Sequence, residues 1–516
     1  MSTPVALVAI MGLTWLLRMN FWDQPFQVDE GVYAYIGWGM LDGLVPYKHV
    51  FDHKPPGIYL LYSLVFLLSE PLALNVKVFA SLYTLGTVLA VFLLTRKIAG
   101  TTAACLSAFL FGVFSCGPKI EGGGANTEVF MILPYTLAAY FLLRAIETGK
   151  RSSYFLTGLL TGLACTIKQV AVVNLLWVAG LFLVRMWRKD KGDTLAHVAA
   201  DVIVVAFGVI LPWIPFLLYF YLNDALKAFF YWQVSFNLEY IDVGYKYLSN
   251  VALALGQMKT VLRENGFLWV LALVGLGFLY KQVNEKKLLS PGGGPALSRR
   301  WTVLFLMTTW PLFSFLGIML GGRYYGHYFI QIIPPLSVLG GIGLAGLVQE
   351  LRLRGKAVLR QPSRVLLAAL LIWSFLLFVR TDSPYYLRYN ADLISHSIYG
   401  TPLFSVTRFI GKYLKEHTQP DDLIYVWRTN PEINFYALRK SPSPYLVFVR
   451  FQPDDFKTLI QSLHREPPLC IVAMEEISRF PALKRYISQN YRKEEDPQLE
   501  DLKRVVGFEI YRRKKG

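Results

Sequence analysis

Apolar runs long enough to cross a bilayer recur through the first 380 residues, and no other feature constrains the chain as strongly. A spanning helix needs about 20 apolar residues, roughly 17 at the short end. Runs of that kind lie near residues 4–20, 75–95, 102–117, 129–144, 153–166, 169–186, 200–222, 265–281, 301–320, 328–349 and 364–380. They predict a polytopic α-helical membrane protein with about eleven spans. The overall composition, 54% hydrophobic and 15% aromatic, agrees with that class.

The segment from Gly57 to Ser69 is apolar but stops early at Glu70 and Pro71. Counting it as a span would reverse the side of every later loop, so the positive-inside rule decides. If it does not cross, one side collects Arg96 and Lys97; Arg144, Lys150 and Arg151; and Arg185, Arg188, Lys189 and Lys191. The same side also collects Lys281, Lys286, Lys287, Arg299 and Arg300, and Arg352, Arg354, Lys356, Arg360 and Arg364. That side reads as cytoplasmic, and 57–69 reads as a re-entrant or interfacial helix on the outer face. Opposite lie 21–74, 118–128, the turn near Lys168, 223–264, the GGRYYGH loop and everything after residue 380.

A net charge of +17 raises nucleic acid as a partner, but much of the excess sits in the cytoplasmic loops, where anionic headgroups are the expected contact. The first run lacks a basic leader and a small-residue cleavage site, so it reads as a span and not as a cleaved signal. Cys105, Cys116, Cys165 and Cys470 have neither zinc spacing nor a disulfide framework. Two domains follow: a membrane domain over 1–380 and a soluble outer domain over 381–516. In the second, DDLIYVW (421–427), PLCIVAM (468–474) and the tail VVGFEIYRRKK read as strands. VTRFIGKYLKEH (406–417) and DDFKTLIQSLHR (454–465) read as helices, and the whole as an α/β domain.

The outer loops carry the residue types that spans avoid, and charges near a membrane are functional candidates. Loop one mixes carboxylates with Trp22, Tyr33, Tyr35, Trp38 and Tyr47, which suits a sugar that stacks on rings and bonds through its hydroxyls; an interfacial aromatic belt is the competing reading. Asp29 and Glu30 open a helical segment, where the macrodipole stabilises anions. In FDHKPPGIYLLY, Pro55 biases Lys54 towards extended backbone and the proline pair starts the next helix. Lys54 therefore stands beside a helix N-terminus, a favourable place for a phosphate, although a snorkelling lysine would look the same.

The second outer loop, CGPKIEGGGANTEVF, leads through an N-cap at Asn126 or Thr127 to Glu128 in a first helical turn. In GGRYYGHY (321–328), Arg323 suits a phosphate, with Tyr324 beside it, and His327 is a candidate proton donor or metal ligand. His53, Tyr328 and Lys168 join His327 as candidate substrate or metal contacts. The GxGxxG at Gly341, Gly343 and Gly346 lies inside a span with no strand before it, so its glycines read as helix-packing positions, not a dinucleotide site. No Walker motif is present either. An enzyme built this way needs an activated substrate delivered through the membrane.

Taken in order, VDEG, HKPP, NTE and GGRYYGHYFIQIIPPL resemble the GT-C membrane glycosyltransferases, in the branch of the protein O-mannosyltransferases and the bacterial lipid A aminoarabinose transferases. The resemblance covers the first 350 residues, and IYVWRTNPEINFY is similar to the outer domain of bacterial members. It implies a polyprenyl-phosphate sugar donor and inversion at the anomeric carbon. It implies Asp29 as the first-loop catalytic carboxylate with Glu30 beside it, Lys54 at the donor phosphate, and Glu128 at a second acidic position. His53 stands where the aminoarabinose transferases carry a metal-binding Glu, which leaves divalent-metal dependence open. The expected product is a transfer to an acceptor hydroxyl of a glycolipid, glycan or protein, at the periplasmic or outer face of the cell membrane. A polyprenyl-lipid binding or flipping protein is the alternative. A secondary transporter is less favoured, because the charges avoid midspan and no internal repeat is evident.

Overall fold

The structure is a computed structural model that describes residues 2–188, 194–240, 251–285, 297–320, 322–354, 362–447 and 453–514. Of the residues weighed above, Lys189, Lys191, Lys286, Lys287, Gly321, Lys356 and Arg360 lie outside the described residues. All eleven apolar runs fall in helices. Among the described residues, eight helices are long and apolar enough to cross a membrane. One of them, Ala73–Phe114, holds two of the runs and bends at Gly100, whose backbone (φ 81°, ψ −178°) leaves the helical region. The runs near 4–20 and 153–166 form shorter helices, Thr3–Met19 and Arg151–Ile167, each of 17 residues.

The chain divides into two compact units. The first comprises Met1–Asn20, Val78–Phe216 and Leu238–Tyr389 and contains helices and loops but no strand among its described residues. Its helices pack closely where small residues remove the side-chain spacer. Gly341, Gly343 and Gly346 are such positions: a Cβ there would stand 2.5 Å from the Ser107 nitrogen, 2.7 Å from the Gly275 nitrogen and 2.5 Å from Phe278 Cγ. The GxGxxG match is thus a packing stripe.

The second unit comprises Phe21–Lys77, Leu217–Asn237 and Asn390–Gly516. It therefore contains the first loop as well as the C-terminal α/β region. Counting helices from the N-terminus with Thr3–Met19 as α1, α2 is Val28–Met40 and α3 is Pro56–Leu68. At 13 residues α3 is too short to span, as its sequence predicts.

Four strands, β1 (Ile424–Trp427), β2 (Cys470–Ala473), β3 (Tyr491–Lys493) and β4 (Glu509–Arg513), form a sheet in the order β1-β2-β4-β3. β1 and β2 run parallel, and the other two pairings are antiparallel. The parallel pair requires a crossover, and the helix Pro453–Arg465 lies between the two strands in sequence. Alternation places Ile424 and Val426 in one core with Ile410 and Leu414. Tyr425 and Trp427 enter a second core with Leu459 and Leu463. Both faces are covered, which is why these strands read as continuous apolar runs.

A Gly343→Ala substitution forces a Cβ against the Gly275 backbone and is expected to destabilise the protein by about 1–3 kcal/mol. Gly12→Ala, where nothing lies within 4 Å, is the control and should leave the midpoint unchanged or slightly higher. Thermal unfolding of the detergent-solubilised protein checks both.

Candidate functional site

The candidate residues fall into two groups, one in each unit. In the second unit, α2 begins with a capping box: the Gln27 side chain accepts from the Asp29 amide at 2.8 Å, and Glu30 Oε2 accepts from the Gln27 amide at 3.3 Å. The two adjacent acids then part. Glu30 is buried and ion-paired with Lys77 at 2.6 Å, both side chains at most 1% exposed. The Lys77 ammonium also lies 5.4 Å from the centre of the Phe26 ring. Asp29 keeps one third of its side chain exposed and faces the Lys54 ammonium at 3.6 Å. Of the VDEG pair, Glu30 is engaged in holding the helix entry, and Asp29 is the one open to a ligand.

Lys54 is positioned through its backbone. Its carbonyl accepts from the Tyr47 hydroxyl at 2.6 Å and from Gln233 Nε2 at 2.8 Å, and the neighbouring His53 carbonyl accepts from Asn237 Nδ2 at 3.0 Å. Pro55 N-caps α3 with Pro56 at its first position, so the chain enters the helix in one conformation. Asp52, buried beside it, accepts from the Tyr59 hydroxyl and from the His53 amide, each at 2.7 Å, and lies 3.3 Å from His53 Nδ1. Burial pushes the Asp52 carboxyl up, but His53, Lys54 and Tyr59 more than offset this and hold it below its ordinary value. His53 is held below the ordinary imidazole value by burial first and by the charge of Lys54 second, against the pull of Asp52.

In the first unit, Asn126 occupies the N-cap of α5 (Thr127–Thr148; α4 being Ala73–Phe114) and Glu128 its first turn. Glu128 accepts from Thr127 Oγ1 at 2.9 Å and forms a buried ion pair with Lys168, whose ammonium lies 4.1 Å from the centre of the Tyr328 ring. His327 pairs with Glu121 at 3.0 Å. Arg323 stacks its guanidinium over Tyr240 at 4.3 Å. Tyr324 is buried and holds φ 52°, a left-handed conformation that costs a non-glycine residue about 1–3 kcal/mol.

The loop 115–126 is tied down from several directions. Arg18 donates to Ser81 Oγ at 3.0 Å and to the carbonyls of Gly122 and Gly124. Glu264 Oε1 accepts from the Lys119 amide at 2.6 Å, and the Tyr386 hydroxyl donates to the Cys116 carbonyl at 2.8 Å. Arg18, Lys77 and Glu264 are contributors that the sequence does not single out, whereas Asp52 and Glu121 stand in its candidate loops. Arg18, Lys77 and Glu264 each lie inside or at the end of an apolar run, which was their available signal.

Among the described residues no group of three or more His, Cys, Asp or Glu is placed to share a metal ion. His53 pairs with Asp52 and His327 with Glu121. The donor set of the described residues does not fit a metal centre, and the roles proposed below rest on the side chains alone.

Residues 53–216 match the family model of dolichyl-phosphate-mannose-protein mannosyltransferase. Residues 407–514 match a second model, described as "Putative competence-induced protein Ccs4 C-terminal domain". Comparison with curated proteins finds no match. Among solved structures, ArnT from Cupriavidus metallidurans bound to undecaprenyl phosphate aligns with a TM-score of 0.58 at 15% identity, over 98% of this chain and 97% of that one. The oligosaccharyltransferase AglB from Archaeoglobus fulgidus, in complex with an inhibitory peptide and a dolichol-phosphate, aligns with a TM-score of 0.55 at 14% identity, over 99% of this chain and 74% of that one. The chain is therefore a multi-pass membrane protein with the fold of the GT-C glycosyltransferases. The mannosyltransferase match begins at His53, in the corner that presents Lys54 to Asp29.

A depressed imidazole makes stability pH-dependent. With the folded value below the ordinary 6.5, the unfolded state takes up the proton first, so the His53 contribution is present above that value and lost as pH falls through and below it. The thermal midpoint should fall between about pH 7 and pH 5.5, and His53→Gln should flatten that slope; an unchanged slope would remove His53 as its cause.

Proposed function

We propose that the protein transfers a sugar from a polyprenyl-phosphate donor to an acceptor hydroxyl, with inversion, at the outer face of the membrane. The observation that carries this reading is the exposed Asp29 carboxylate 3.6 Å from a Lys54 ammonium fixed by its own backbone. A glycosyl phosphate leaves as an anion, so the donor needs charge stabilisation at its phosphate more than it needs a proton. Lys54 supplies that charge from a sheltered position. The acceptor hydroxyl is a weak nucleophile, and Asp29 takes its proton as the oxygen attacks the anomeric carbon. The bond from that carbon to the phosphate oxygen breaks, and its electron pair departs with the polyprenyl phosphate. Attack opposite the leaving group gives inversion.

The first unit's polar residues have separate assignments in this reading. Glu128, in the first turn of α5, and Lys168, at the C-terminal end of the helix Arg151–Ile167, form a buried charged pair in which Lys168 keeps the greater exposure and is the candidate substrate contact. Arg323, with Tyr324 beside it, is a phosphate-binding candidate on the GGRYYGH loop. The excess of Lys and Arg in the loops at the other helix ends supports the outward orientation.

The test is release of free polyprenyl phosphate by purified protein from a panel of polyprenyl-phosphate hexoses and pentoses, with a crude envelope extract as acceptor. Wild type is expected to release it from one sugar class, and Asp29→Asn to lower the rate by about 10²–10⁴-fold. Equal rates for both would remove Asp29 from the chemistry. Binding of the donors with no release from any of them would favour the lipid-binding or flipping reading.

A further inference from the structure

The second unit holds a separate pocket of about 230 Å³ that none of these roles uses. One wall is the solvent side of the helix Leu403–His417, where Arg408, Lys412 and Lys415 share a face at helical spacing. The opposite side of that helix is fixed in the sheet core by Val406, Ile410 and Leu414. The remaining lining is mostly apolar and aromatic, including Trp22, Leu72 and Tyr436, with Gln24 and with Asp23, whose carboxylate is paired with Arg408.

Three features tie the pocket to a bilayer surface. Leu72, Ala73 and Leu74 are at or just before the first turn of α4, a helix long and apolar enough to span. Leu67, Leu68, Leu72 and Leu74 are all substantially exposed, from 44% to 85%, which water disfavours and acyl chains do not. Trp22 is the residue type that settles at headgroup depth.

The charges are unequal. Arg408 is engaged by Asp23 at 3.2 Å and by Asp392 at 2.9 Å. Lys412 and Lys415 are exposed and make no ion pair among the described residues. The pocket thus combines a greasy floor, two uncommitted ammonium groups and a location at the end of a spanning helix. Charge complementarity selects an anionic amphiphile whose phosphate meets the lysines while its chains run along the leucines.

We propose that this pocket binds the headgroup of an anionic glycerophospholipid from the leaflet that the N-terminal end of α4 reaches. A bilayer glycerophospholipid is favoured over the sugar donor because both lysines are exposed and the pocket is lined by the first residues of a helix long and apolar enough to span. The inference goes beyond the transferase reading and stands or falls independently of it, since it needs only the membrane location of α4. Bound there, the lipid ties the sheet-containing unit to the membrane surface.

The experiment titrates full-length, detergent-solubilised protein with phosphatidylglycerol carrying a fluorophore on one acyl chain, with labelled phosphatidylcholine as the neutral comparison. Phosphatidylglycerol is expected to bind more tightly than phosphatidylcholine. Lys412→Gln with Lys415→Gln should weaken it by roughly tenfold, or more, at low salt, with the thermal midpoint unchanged. Lys412→Arg with Lys415→Arg should retain binding. Unchanged affinity in the Gln double variant overturns the proposal. So does displacement by inorganic phosphate at the same concentration as by unlabelled lipid, which would mark a free-phosphate site, or preferential displacement by undecaprenyl phosphate, which would mark a donor groove. Donor-release activity is measured on the same variants, so that loss of transfer and loss of lipid binding are read separately.

Discussion

Lys54 is held where it is by neutral hydrogen bonds to its own carbonyl, and the local chemistry follows from that. A lysine side chain has four flexible carbons, so a defined ammonium position needs a defined backbone. Tyr47 and Gln233 fix the carbonyl, Asn237 fixes the one before it, and the proline pair fixes the exit into α3. The resulting charge is sheltered but not sealed: Lys54 is 9% exposed and its partner Asp29 33%. Glu30 and Lys77, one residue and one helix away, show the opposite solution, a closed pair with almost no exposure. Adjacent acids in one first turn therefore carry different tasks, one structural and one open to a ligand.

The same division recurs in the first unit. Arg18 and Glu264 spend their charge on backbone groups of the loop 115–126, which then offers Glu121 to His327 and leads into the turn carrying Glu128. Buried charges without such partners would be costly, and a charge that has them gives a rigid support. Both candidate groups are thus backed by buried, partnered charges.

The spans were legible in the sequence because spanning is a one-dimensional property, a length of apolar residues, and every predicted run lies in a helix. The strands at 424–427 and 470–473 were legible for a similar reason: both faces are covered, so they read as uninterrupted apolar segments. Asp29, Lys54 and Glu128 were legible because helix entry signals are local, an acid pair at a first turn or a proline pair after a lysine. Partners were not legible. Glu30 finds Lys77 47 positions away, Arg18 finds Ser81 at 63 and Gly122 at 104, and no local pattern encodes such pairings. The short strand Tyr491–Lys493 was missed because two of its three residues are exposed and charged, and it exists through its pairing with the final strand. The bend at Gly100, which joins two runs in one helix, is a single backbone conformation that hydropathy does not register.

Whether the Asp29–Lys54 corner receives the donor phosphate is decided by a structure of the Asp29→Asn protein with undecaprenyl phosphate. Density for the phosphate is expected within hydrogen-bond distance of Lys54 Nζ, with the Tyr47 and Gln233 bonds to the Lys54 carbonyl unchanged. A well-ordered phosphate bound elsewhere, with the Lys54 ammonium still turned to residue 29, would contradict it.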